Sequence, residues 1–62
     1  MEQLVDTKKV AELTGMSKAW LERARWLGPG YGPPYLKIVR SVRYRPSEVE
    51  AWLEEYRIGK LN

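Results

Sequence analysis

The side chains with the most chemistry to offer are Lys37, Arg40, Arg43 and Arg45, set in the run KIVRSVRYRP with no acid among them. Cations threaded between apolar residues make a ribbon with one charged side, and such a side binds anions, phosphates above all. Lys18, Arg23 and Arg25 form a second cluster upstream. From Ser17 to Arg45 seven basic residues stand against the single acid Glu22, a local charge of +6, while the other residues carry four basic against seven acidic, or −3. The net charge is only +3. It is the segregation that points to a polyanion, with a merely solvated basic surface as the alternative.

Other chemistry is poorly provided for. The chain has no His and no Cys, so the usual nucleophile–base pairs, a disulfide framework and an ordinary zinc site are all unavailable. The expectation is a protein that is not an enzyme and carries no metal or cofactor. No apolar run approaches the roughly 18 residues of a membrane span, and Met1-Glu2-Gln3 does not open a secretory leader, which predicts a soluble, cytoplasmic protein with no membrane partner. With 62 residues, three Trp and four Tyr, the chain is expected to form one small domain over 1–62, with an ordered core at about 4–57 and a frayed tail at 58–62.

The elements that position the cations are marked by their caps. In VDTKKVAELTGMS, Asp6 reads as an N-cap, Val5 as a hydrophobic staple onto Val10, and Gly15 as the left-handed stop, with Val10 and Leu13 on one face. The grammar repeats at once in SKAWLERARWLG, with Ser17 as cap and Met16 and Leu21 as the staple. Two capped helices joined by a short turn containing Gly are the signature of a helix-turn-helix. Leu21, Ala24 and Leu27 are expected to face inward, leaving Lys18, Ala19, Glu22 and Arg23 outside, with Trp20 and Trp26 on the flanks. Arg23 is the best placed to grip a guanine edge in a major groove; Trp20 reads either as rim packing or as a base contact.

PGYGPP is a connector, too rich in Gly and Pro for a regular element, with Tyr31 and Tyr35 expected to cover the core. The ribbon then reads as a hairpin. Leu36, Ile38, Val42 and Tyr44 fall on one face if Ile38 pairs with Val42 around the loop Val39-Arg40-Ser41. Lys37 and Arg43 would share the other face, and Arg40 would stand at the tip, placed to reach phosphates or a minor groove. RPSEVEAWLEEYR is a helix with Pro46 in its first turn, a capping box from Ser47 to Glu50, and an inward stripe of Val49, Trp52, Leu53 and Tyr56. Its acids, Glu48, Glu50, Glu54 and Glu55, are expected to face solvent, away from any nucleic acid.

VAELTGMSKAWLERAR followed by PPYLKIVRSVRYRPSEVEAWLE resembles the excisionase and AlpA-like family of small phage and prophage DNA-binding proteins, whose winged helix-turn-helix is MerR-like. The likeness runs from about Leu4 to Arg57. It implies a mainly α fold with a small β-hairpin: helix-turn-helix, wing, C-terminal helix. It also implies a second helix in the major groove, with Ser17, Lys18, Trp20 and Arg23 at the contact positions, and a DNA-binding wing around Lys37, Arg40, Ser41 and Arg43. The family usually has Gly where Val39 stands; since a β-branched residue tolerates positive φ poorly, Ser41 is expected to take the left-handed position. Trp20 replaces a small Thr, and could alter specificity or pack on the wing.

Two roles within that family fit. An excisionase, or recombination directionality factor, binds and bends attachment-site DNA beside a tyrosine or serine integrase; an AlpA-like regulator acts at a promoter. The absence of an effector or dimerisation segment favours the first, as a monomer in solution that assembles cooperatively, head to tail, on double-stranded DNA. The host setting would be the bacterial nucleoid or a phage. A protein-interaction module without DNA binding is the reading from another class.

Overall fold

The structure, a computed structural model, describes residues 1–59. Helix α1 (Thr7–Thr14) and helix α2 (Lys18–Leu27) are followed by strands β1 (Leu36–Ile38) and β2 (Ser41–Arg43) and by helix α3 (Pro46–Glu54). This is a small, mainly helical winged helix-turn-helix. Of the expected frayed tail, residues 60–62 lie outside the described residues.

Local chemistry sets the first two helices. The Asp6 side chain accepts from the Lys9 amide at 2.9 Å and the Ser17 hydroxyl accepts from the Trp20 amide at 3.0 Å, each satisfying an orphan donor of the first turn. Gly15 ends α1 at φ 76, where a Cβ would be strained, and its N–H donates to the Ala11 carbonyl. Val5 and Met16 both pack against the core, as staples should.

That core is compact. Val10, Leu21, Tyr44 and Val49 are fully buried, one from each of the three helices and one from the residue after β2. Leu13 is not among them. It is 54% exposed, because the inward face of α1 runs through Thr7 and Val10 and leaves Leu13 to one side. Leu27 and Leu53 are likewise outside the core, and Tyr56 is exposed; of the stripe expected in α3, Val49 is buried and Trp52 half-buried. The connector seals the back of α2 through Gly32, where a Cβ would stand 2.9 Å from the Ala24 Cβ. No larger residue fits there without a shift.

The hairpin forms in a different register from the one its apolar pattern suggests. Leu36 pairs with Arg43, Lys37 with Val42 and Ile38 with Ser41, around a two-residue loop, Val39-Arg40. A slip of one position reverses the faces. Val42 and Tyr44 now lie toward the core, with Lys37 on the same face of the ribbon but exposed, while Leu36, Ile38, Ser41 and Arg43 share the other face. The left-handed residue is Val39 itself, at φ 59, and not Ser41. A two-residue hairpin loop demands positive φ at its first position in the turns that match strand twist, so the register forces a valine into backbone that glycine would adopt freely, at about 1–2 kcal/mol of strain.

Two contacts from the N-terminal segment close the molecule. Val5 and Tyr44 exchange both backbone hydrogen bonds, at 3.0 and 2.8 Å. Glu2 then caps α3: the Ser47 hydroxyl donates to its carboxylate at 2.6 Å and the Ser47 amide at 3.2 Å. The capping box expected from Ser47 and Glu50 does not form. The helix begins earlier, with Arg45 at the cap position giving no side-chain bond, so Ser47 sits inside the first turn and its free amide is met from the other end of the chain.

Candidate nucleic-acid interface

The exposed face of α2 follows from what it buries. Leu21 and Ala24 are inward, so Ala19, Glu22, Arg23 and Trp26 lie opposite at helical spacing, with Lys18 and Ser17 at the amino end. Arg23 and Lys18 are exposed, and the ion pairs among the described residues, Lys9–Glu12 and Glu54–Arg57, leave both out. Their charge is available to an outside anion. Trp26 is 85% exposed, an unusual setting for an indole, and joins Arg23 as a candidate that its i+3 spacing could have revealed.

Trp20 has another occupation. Its ring meets Trp52 of α3 at 6.2 Å between centroids, and Trp52 in turn meets Tyr56 at 5.0 Å. The indole therefore braces α2 against α3, on neither the wing nor the outermost face of the helix.

Arg25, counted at first only as charge, is a structural hub. One of its terminal nitrogens, Nη1, donates to the Tyr44 hydroxyl at 2.7 Å and to the Thr7 hydroxyl at 3.1 Å, and its guanidinium lies over the Tyr35 ring, 5.8 Å from the centroid. Tyr35 and Tyr44 also meet, at 6.2 Å. One side chain thus joins α1, α2, the connector and the root of the hairpin. Thr7 is buried on that account. The two hydroxyls that accept from Arg25 are 18 and 19 residues away from it in sequence, beyond the reach of any periodicity.

On the hairpin, Lys37, Arg40 and Ser41 are exposed and Arg43 is half-buried, one terminal nitrogen donating to the Val42 carbonyl at 2.8 Å. Arg40 is at the tip as expected. Lys37 and Arg43 do not share a face, as the register shows, so the cations splay to both sides of the ribbon. Between the hairpin, the connector and α3 an open groove of about 760 Å³ is lined by Leu21, Tyr35, Lys37, Tyr44, Trp52 and Glu55 among others. The acids of α3 are exposed.

Residues 4–57 match the family described as the helix-turn-helix domain. The chain belongs to that family. The helix-turn-helix domain family includes AlpA- and excisionase-like small DNA-binding proteins, and membership makes this a DNA-binding helix-turn-helix chain, of a kind that is typically not enzymatic. No curated protein and no solved structure matches the chain. Among the described residues no helix is long and apolar enough to cross a membrane, and no cluster of acids is arranged to hold a metal ion.

Proposed function

We propose that this helix-turn-helix chain is an excisionase: a sequence-specific DNA-binding protein, one domain over 1–62, that binds and bends attachment-site DNA so that an integrase of the tyrosine or serine type favours excision. The observation that carries the reading is the pair of basic elements whose cations have no acid partner among the described residues, α2 with Lys18 and Arg23 and the hairpin with Lys37, Arg40 and Arg43. In this reading α2 enters the major groove. Ser17 and Lys18 meet the backbone at its amino end, and Arg23 reaches a guanine edge with two hydrogen bonds. The hairpin lies along phosphates with Arg40 at a minor groove and Ser41 beside it, and the acidic α3 faces away.

One such module covers about 600–1,000 Å², so a single copy binds weakly and loses affinity steeply with salt. Affinity then comes from copies assembled head to tail, monomeric in solution, in the cytoplasm of a bacterial host. The test is a titration on duplexes carrying one, two and three adjacent sites from an attachment region. Excisionase function predicts affinity per site rising with site number and a retarded, bent product. Equal affinities and straight DNA, with a footprint on an integrase promoter instead, would assign the AlpA-like role. No binding to any duplex, at low salt or high, would leave only a protein-interaction module.

A further inference from the structure

Val39 combines two unfavourable settings in one residue. It is a β-branched side chain at φ 59, and it is 88% exposed, so little packing among the described residues repays its backbone strain. Gly or Asn at that position would remove both penalties. Beside it, Ile38 is half exposed, so the tip of the hairpin presents two apolar side chains next to Arg40. Arg40 shares the two-residue loop with Val39, Lys37 lies on the strand that leads to it and Arg43 nearer the root, opposite Leu36, and from Leu36 to Arg45 there is no acid. An apolar point flanked by cations fits a surface with anionic rims and an apolar floor. A minor groove has that form: two rows of phosphates, and between them sugars and stacked base edges.

We infer that Val39 is a wedge, pressed by the flanking cations against the floor of the minor groove, where it partly unstacks a flexible base step and bends the duplex. The inference rests on the DNA-binding reading and extends it by naming the side chain that would deform the DNA, a role separate from the arginine contacts. Phosphate contacts supply the affinity and the wedge supplies the bend. Pyrimidine–purine steps such as TA, which unstack easily, are its substrate.

The experiment uses the full chain at low salt with end-labelled duplexes carrying 2-aminopurine in TA steps. Base fluorescence reads unstacking, and energy transfer between the ends reads bending. The unaltered chain and Val39→Leu should raise base fluorescence and shorten the end-to-end distance. Val39→Gly and Val39→Asn, both suited to left-handed backbone, should bind within about threefold of the unaltered affinity, because the phosphate contacts remain, yet lose most of both signals. Four proteins that bind and bend alike would overturn the wedge while leaving the DNA-binding reading intact; no binding of the unaltered chain to any duplex would remove both. Vesicles of anionic phosphatidylglycerol form a last arm: a loss of binding on going to Val39→Asn there, with unchanged duplex signals, would assign the apolar tip to lipid and overturn the proposal.

Discussion

Helix α2 and the hairpin both carry cations that have no ion pair among the described residues, and the molecule holds the two elements in opposite ways. Along α2, Leu21 and Ala24 are buried, Arg25 bonds to two other elements, and Trp20 leans on Trp52. Between Leu36 and Arg43 no residue is fully buried. The hairpin is secured at its root, through Tyr44, and its tip touches little. An element meant to present Arg23 at a fixed angle needs several anchors, since a small rotation would carry a guanidinium past its base pair. A ribbon that follows phosphates needs only its base fixed. The two systems share a joint at Tyr44, which accepts from Arg25 and packs with Leu21 in the core, so substitutions there should disturb both and substitutions at the tip neither the helix nor the core.

The largest expected effect is at that joint. Tyr44→Ala removes a fully buried ring, the acceptor of Arg25 and the packing of Tyr35 together, and should destabilise by about 3–5 kcal/mol, enough to unfold much of so small a chain. Thermal unfolding followed by circular dichroism would show it; a midpoint near that of the parent would mean that α2 and the hairpin are anchored independently.

Next comes a contrast between two arginines on one helix. Arg25→Met keeps the aliphatic stem but strands the hydroxyls of Thr7 and Tyr44, a loss of about 1.5–3 kcal/mol. Arg23→Met should stay within about 0.5 kcal/mol, as surface substitutions do. Urea titration of the two variants decides the matter, and equal losses would erase the division of α2 into a held face and a presented one.

The tip should behave in the opposite sense. Val39→Gly exchanges strained backbone for permitted backbone and should stabilise by about 0.5–1 kcal/mol, the relief of strain less the added freedom of glycine when unfolded. A destabilised Val39→Gly in the same urea titration would show that the tip packs after all.

The smallest effect concerns Glu2. The hydrogen bond from the Ser47 hydroxyl, aided by the Ser47 amide and the charge of Arg45 and opposed by desolvation, holds its carboxyl below the ordinary carboxylate value. A carboxyl whose pKa is lowered on folding adds stability that is present at neutral pH and disappears as pH falls through the lowered value. Glu2→Gln should therefore narrow the stability difference between neutral and acid solution, and parallel unfolding curves at several pH values would check it. A variant with an unchanged pH dependence would show the cap to be without thermodynamic weight.

How much of this was legible in the sequence depended on how far apart the interacting residues lie. Asp6, Gly15 and Ser17 act on neighbours three or four positions away, and their roles can be read directly from residue type and order. The hairpin was harder. Leu36, Ile38, Val42 and Tyr44 alternate well enough to suggest one apolar face, but the loop length that sets the register leaves little trace in composition, and it was resolved in favour of strain at Val39. Glu2 and Ser47 illustrate the other limit. A capping box nearby satisfied every local rule, yet the helix is capped by a carboxylate from the opposite terminus. Arg25 was visible as a charge and invisible as a hub for the same reason. For the candidate site, Lys18 and Arg23 are exposed where helical spacing puts them and Arg40 stands at the hairpin tip, but the shifted register separates Lys37 from Arg43 and moves Ser41 from the loop into β2; Trp20 leans on Trp52, a partner on a helix much later in the chain.

The bond between Glu2 and Ser47 spans 45 positions, and together with the Val5–Tyr44 bridge it gives the folding of this chain a definite order in time. The two amino-terminal helices and their turn can form from near neighbours as soon as they are made, but closing a loop of 45 positions must wait until its later end exists. On a ribosome, which adds about 5–20 residues each second, the first helices emerge without Tyr44 to accept from Arg25 and without Val49 to cover Val10. Only when α3 has left the exit tunnel can the N-terminal segment find both partners. The protein is therefore finished in one late step, and a nascent chain stalled before Ser47 should remain open to proteases that the released chain resists.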